Sequence, residues 1–276
     1  MKRILTAIVG LPILLFTVWS RSPYFFVALT TIAALLALRE FYGLASRVDC
    51  KPHVVVGYIF ALVVLASFLS ELPSAAVVAL IALSIVSLSI ALASSGDLRY
   101  SLISVSSTVF GVVYVAVLSG CLIGVRILPD TVMRMSAPHL SSKLLTMFFA
   151  LVMLTDTGAY YVGRSLGRHK LAPRISPGKT IEGAVGGFLV AMVTGVLCKI
   201  IFFHEIPITH AIALGAAIGF VGQIGDLAES MLKRGAGVKD SGNLLPGHGG
   251  MLDRIDSILF CAPLLYYYAR LLASSL

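Results

Sequence analysis

Long runs of apolar residues, broken by short polar stretches, organise this sequence, and they fall at roughly 4 to 19, 23 to 45, 53 to 71, 74 to 93, 101 to 128, 143 to 163, 180 to 203, 208 to 232 and 251 to 273. A helix that crosses a bilayer needs about 20 predominantly apolar residues, because hydrocarbon offers no water and each backbone N–H and C=O must be satisfied within the segment. The pattern therefore predicts an all-α, polytopic integral membrane protein with about nine transmembrane helices. The breaks carry helix-stopping residues: Pro23, the stretch Glu71 to Ser74, Ser94 to Asp97, and His204 to Pro207. The join between the third and fourth runs is the least marked.

Composition agrees. Of 276 residues, 58% are hydrophobic and 12% charged, with a mean hydropathy of +0.96, against about 45 to 50% apolar and about 25% charged in soluble domains. The cysteines Cys50, Cys121, Cys198 and Cys261 are far apart and suggest neither a disulfide framework nor a CxxC metal site. Lys2 and Arg3 before an apolar run imitate a signal peptide. No small-x-small cleavage pattern precedes Arg21, however, so the run is expected to be the first membrane helix.

The net charge of +8 raises nucleic-acid binding, but no zinc-finger, recognition-helix or RNA-binding pattern is present, and no nucleic-acid partner is expected. The basic residues instead follow topology. With nine spans and a cytoplasmic N-terminus, only Arg21, Arg126, Arg134, Lys143, Lys199 and Arg270 of the 21 Lys and Arg fall on the outer side. The positive-inside rule then places the N-terminus inside and the C-terminus outside.

Ionisable groups inside membrane helices are expensive and mark function by default. Asp156, Asp226, Glu229, Asp253 and Asp256 all fall near the cytoplasmic ends of their spans, beside two long basic, Gly- and Pro-bearing loops, Arg164 to Lys179 and Lys233 to Gly250. The expected organisation is a scaffold of about five helices over 1–128 and a catalytic region of about four helices over 143–276. The first half holds no comparable concentration of acids and is expected to be scaffold or a lipid-facing shell.

Asp226, Glu229 and Lys233 are spaced i, i+3, i+7 and share a helical face. Asp253 and Asp256 lie at i and i+3 in the first turns of the last span, where a helix N-terminus welcomes negative charge. Mg²⁺ takes oxygen ligands, usually one or two carboxylates per ion with water and phosphate completing the shell, so three aspartates suit one or two cations. The loop from Lys239 and Asp240 to His248, Gly249 and Gly250 supplies positive charge and close backbone approach to phosphates, without being a Walker motif. Ser176, Lys179 and Thr180 precede the seventh span, where Lys179 can meet a triphosphate or a lipid phosphate. Plainer roles stay open: basic residues that meet anionic headgroups, aspartates paired with Arg234 or Arg254, His248 as a phosphate or backbone hydrogen-bonder, and Asp156 as a polar tie between helices. The glycines of 183 to 187 and 215 to 225 suit close helix packing better than nucleotide binding, and Tyr266 to Tyr268 suit an interfacial aromatic belt.

The run Ser230-x-Leu232-Lys233-Arg234, four residues, Lys239-Asp240, then Pro246-Gly-His-Gly-Gly250-Met-x-Asp253-Arg254-x-Asp256 resembles the full signature of the phosphatidate cytidylyltransferases, also called CDP-diacylglycerol synthases. The segments Gly225 to Ser230 and Ser176 to Gly183 are similar to that family too, so the resemblance covers about residues 150 to 260. It implies a Mg²⁺-dependent enzyme of phospholipid biosynthesis that transfers the cytidylyl group of CTP to phosphatidic acid, giving CDP-diacylglycerol and pyrophosphate. It also implies a cytoplasmic (inner) membrane location and a possible homodimer. Asp226, Asp253 and Asp256 match the acidic metal positions. We take Lys233, Arg234, Lys239, Asp240 and Arg254 as candidate catalytic residues, and Ser176, Lys179, Thr180, Glu229, Ser230, His248 and Gly249 as candidate substrate-binding residues. A second cation of unassigned identity fits the same acids. The rivals are a CTP-dependent polyprenol or phytol kinase, which would release CDP instead of pyrophosphate, and an anion transporter, whose charges belong nearer the midplane.

Overall fold

A computed structural model describes residues 2–70, 74–94, 98–128, 139–244 and 249–275, and for 2–9 and 273–275 the backbone alone. The helices are α1 (Lys2–Trp19), α2 (Tyr24–Ser46), α3 (Val54–Ser67), α4 (Ala75–Ala93), α5 (Ser101–Gly111), α6 (Leu118–Ile127), α7 (Leu140–Leu166), α8 (Ile181–Ile201), α9 (Ile208–Gly235) and α10 (Leu252–Ser275). A π-helical turn, Val112–Val117, joins α5 to α6, so the fifth apolar run forms one continuous rod. Helices thus occupy every predicted apolar run. By length and composition seven can cross a membrane, while the described apolar helices Gly10–Trp19 and Val54–Ser67 are shorter.

The basic stretch between α7 and α8, expected as a loop, is instead an antiparallel hairpin of β1 (Lys170–Ala172) and β2 (Ser176–Thr180), with Lys170 opposite Thr180 and Ala172 opposite Ser176. Gly and Pro in the sequence mask these strands, and the turn is closed by the Ile175 N–H donating to the Ala172 carbonyl at 3.1 Å. This two-stranded sheet is an addition to the all-α expectation.

Two compact units form: Met1–Ile127 with Leu232–Ile255, and Leu128–Met231 with Asp256–Leu276. In the first, Phe41, Tyr42 and Tyr114 are buried together, with Phe41 to Tyr42 and Phe41 to Tyr114 both at 5.9 Å between ring centroids. The Tyr42 hydroxyl donates to the Thr108 carbonyl at 3.0 Å, and the Thr108 hydroxyl accepts the His53 N–H at 2.8 Å, so α2, α5 and the start of α3 share one polar tie. Gly111 makes room for this ring, since an added Cβ would lie 2.6 Å from Tyr42.

In the second unit α8 shows why the chain needs lipid. Its large residues point outward, Val185, Leu189 and Val193 each being more than half exposed. On its opposite faces lie small ones: a Cβ on Gly187 would meet the Thr155 carbonyl of α7 at 2.8 Å, and one on Gly215 of α9 would meet the Ala191 carbonyl of α8 at 2.6 Å. Apolar bulk outside and small residues inside invert the soluble pattern, because in lipid helices associate through close backbone packing instead of hydrophobic exclusion. The glycine stretches therefore serve helix packing, as their sequence suggested. Cys121, Cys198 and Cys261 are buried free thiols.

Candidate active site

In the second unit, the hairpin delivers Lys179 to α9. The Lys179 ammonium lies 2.7 Å from Asp226 Oδ2, and both side chains stay partly open, at 26% and 34% exposure. The placement follows from local structure: the Thr180 hydroxyl accepts the Gly183 N–H at 3.1 Å and caps α8. Glu182, in the first turn of α8, accepts the Arg168 N–H at 3.0 Å and contacts His169 Nδ1 at 2.6 Å, tethering the hairpin's other end. Asp156 of α7 lies in electrostatic reach of both Asp226 and Lys179. Cys261 is in turn within reach of Asp156 and Asp256. Gly225 allows α10 to approach, since a Cβ there would lie 3.0 Å from the Asp256 carbonyl. Asp256 is buried, and its Oδ1 accepts the Ser257 N–H at 2.6 Å.

In the first unit the acid is Asp253, in the first turn of α10. Its Oδ1 accepts the Lys233 ammonium at 2.6 Å, and the two side chains are 8% and 11% exposed. Its Oδ2 accepts the Gly250 N–H at 2.8 Å, the Ser241 hydroxyl at 2.9 Å and the Ser241 N–H at 3.0 Å. Gly249 stands at φ +80°, and a Cβ there would meet Asp253 Oδ2 at 2.8 Å, so both its backbone and its neighbour demand glycine. The loop therefore wraps its N–H groups around a carboxylate of its own chain.

The same unit contains an acid that sequence reasoning passed over. Glu40 of α2 accepts the Met251 N–H at 3.0 Å on Oε1, and the Leu252 N–H at 2.8 Å and the Ser241 hydroxyl at 3.0 Å on Oε2. It supplies acceptors to N–H groups at the start of α10, which have no partner within that helix. The first half of the chain is therefore more than scaffold: it holds the signature loop. A lone glutamate some 200 residues from its partners offers no local pattern; a charge within an apolar run was the available signal.

The remaining sequence candidates divide. Ser230 contacts Asp226 weakly, at 3.4 Å. Glu229, expected to share the face of Asp226, is wholly buried. Arg234 donates to the Val238 carbonyl at 3.1 Å. Lys239, Asp240 and Arg254 are exposed, and Ser176 sits half-buried at the start of β2. His248 and Pro246 lie outside the described residues. Asp226 and Asp253 each pair with a lysine, Lys179 and Lys233 respectively.

Asp226 fits a cation-binding role best, because its carboxylate is the more open and its Oδ1 has only the distant Ser230 contact. Asp253 in this arrangement is engaged by Lys233 on one oxygen and by Gly250 and Ser241 on the other. Among the described residues, no three His, Cys, Asp or Glu side chains form a ready metal-binding group. The oxygen donor set is nonetheless the one a hard cation such as Mg²⁺ takes.

Residues 1–272 match the cytidylyltransferase family. The chain belongs to that family. Its similarity to individual members is concentrated in part of the sequence. It is 49% identical over 126 residues to the phosphatidate cytidylyltransferase of Bacillus subtilis (strain 168), covering 45% of this chain and 47% of that protein. Proteins of the same name are 50% identical over 117 residues in Staphylococcus saprophyticus, covering 42% of this chain and 45% of that one, and 50% over 119 residues in Staphylococcus aureus (strain COL), with the same shares. The aligned part spans about half the length of these curated relatives.

Proposed function

We propose that this chain is a CTP:phosphatidate cytidylyltransferase, which forms CDP-diacylglycerol and pyrophosphate in phospholipid biosynthesis. The observation that carries the proposal is the Lys179 to Asp226 pair, partly open and flanked by Asp156, in a membrane-embedded member of the cytidylyltransferase family. A lysine and carboxylates side by side offer positive charge to phosphate and oxygen ligands to a cation.

In the reaction a phosphate oxygen of the lipid attacks the α-phosphorus of CTP, a P–O bond forms, and the bond from the α-phosphorus to the bridging oxygen breaks to release pyrophosphate. A phosphate monoester is already largely ionised near neutral pH, its second pKa being about 6, so no strong general base is needed. The barrier comes from bringing two anions together, and charge placement lowers it. Lys179, Lys233, Arg234 and Lys239 are assigned to phosphates, with Arg254 orienting phosphate or carboxylate. Asp226, Asp253 and Asp256 are assigned as Mg²⁺ ligands, and the cation, when bound, would neutralise nonbridging and leaving oxygens. Asp240 is assigned a catalytic role, and Ser176, Ser230, His248 and Gly249 are assigned to substrate binding. Thr180 contributes by capping α8, and Glu229 acts from a wholly buried position on α9.

The membrane is assigned as the cytoplasmic one, with the N-terminus and the site inside and the C-terminus outside, on the excess of Lys and Arg that this topology gives the inner side. A homodimer is proposed on the family resemblance alone. The test is pyrophosphate release by detergent-purified protein. Release that requires CTP, phosphatidate and Mg²⁺ together, with CDP-diacylglycerol identified by mass, supports the proposal. CDP release with a polyprenol acceptor, or no turnover with any lipid phosphate, would contradict it.

A further inference from the structure

A second feature of the first unit lies outside the assigned chemistry. A cavity of about 450 Å³ opens between α2 and the stretch Ser241 to Leu244. Its α2 wall is one helical stripe, Leu36, Arg39, Glu40, Gly43 and Arg47, spaced by three and four residues. Arg39 and Arg47 are exposed, and among the described residues neither is in a salt bridge. Gly43 lies between them along the helix, and a Cβ added there would meet nothing within 4 Å, so the wall is open at that position. Glu40 also lines the cavity, but its oxygens already accept Met251 N–H, Leu252 N–H and the Ser241 hydroxyl. The wall therefore carries two cationic forks against one carboxylate that is occupied by donors. Leu36 and Leu244 give the cavity apolar surface as well. Its size lies within the range of about 300 to 1,000 Å³ usual for small-molecule sites.

We propose that this cavity binds a phosphate group carried by an amphiphilic ligand, with the phosphate between Arg39 and Arg47 and the apolar part along Leu36 and Leu244. Guanidinium forks match phosphate oxygens in geometry as well as charge. A lipid phosphate and a nucleotide phosphate share this chemistry. The apolar wall favours the lipid, and naming phosphatidate as that lipid rests on the proposed function.

The test labels the site itself. In the full-length protein carrying C50S, G43C places a thiol in the cavity, and its rate of modification by a maleimide is followed in detergent without Mg²⁺. Phosphatidate is expected to slow modification about tenfold, the scale of a charge-assisted contact, and R39Q with R47Q to abolish the protection. Protection by CTP in place of phosphatidate would support the phosphate site and assign it to the nucleotide. Equal protection by zwitterionic phosphatidylcholine, or protection that survives R39Q with R47Q, would overturn the proposal, as would no protection by either phosphate ligand. Because modification needs no turnover, protection without CDP-diacylglycerol synthesis would leave this site standing while the proposed reaction failed.

Discussion

Asp226 and Asp253 each accept a lysine ammonium at nearly the same distance, 2.7 and 2.6 Å, yet their surroundings differ. Asp226 is a third exposed and has one close partner besides a 3.4 Å contact with Ser230. Asp253 is 8% exposed and accepts from Gly250 and from both the N–H and hydroxyl of Ser241 in addition to Lys233. The same pair of residue types thus does two jobs. Around Asp226 the carboxylate is presented, and around Asp253 it is what the loop folds upon.

That contrast can be broken by mutation. Asp253→Ala is expected to have the largest effect: removing one partner of a nearly buried ion pair, and with it the acceptor of Gly250 and Ser241, costs about 3 to 5 kcal/mol, read as a fall in the thermal unfolding midpoint together with loss of turnover. Asp226→Asn should behave oppositely, lowering turnover about 100-fold or more while the unfolding midpoint stays close to wild type, because partly exposed pairs contribute about 0 to 1 kcal/mol. If the two variants lose stability equally, the distinction fails. Glu40→Ala should cost about 1 to 3 kcal/mol by leaving N–H groups at the start of α10 without their acceptor, detected as faster proteolysis between Ser241 and Leu252. Thr180→Ala removes the α8 cap and should cost about 1 kcal/mol, with turnover falling less than for Asp226→Asn.

The smallest expected effect is on pH dependence. Glu205, in the connection before α9, pairs with Lys143. Burial favours its neutral form, but the Lys143 hydrogen bond and neighbouring charge outweigh burial and hold the carboxyl below its usual range. A depressed carboxyl contributes stability that is present above its unfolded pKa and is lost as pH falls through its folded one. Unfolding midpoints should therefore decline on acidification in the wild type, and slightly less in Glu205→Gln.

Much of this was legible in the sequence because lipid imposes a simple rule on local composition. The apolar runs located every membrane helix, and the glycines of α8 and α9 signalled close packing because no larger residue permits it. The hairpin was not legible, since Ser176 to Thr180 has the Pro and Gly of a loop and becomes a strand only by pairing with Lys170 to Ala172. Nor were the partners of the acids. Spacing put Asp226, Glu229 and Lys233 on one face, but only folding decides that Glu229 is sealed, that Asp226 meets Lys179, and that Lys233 turns to Asp253. Glu40 shows the same limit most plainly, because its partners lie some 200 residues away, in the signature loop and at the start of α10.

The most direct test of the central claim is a single-turnover reaction with CTP labelled separately at the α- and γ-phosphates, phosphatidate and Mg²⁺, comparing wild type with Asp226→Asn. Cytidylyl transfer predicts α-label in the lipid, γ-label in pyrophosphate, and neither transfer in the variant. γ-Label in lipid, or an Asp226→Asn protein that matches wild type, would contradict it.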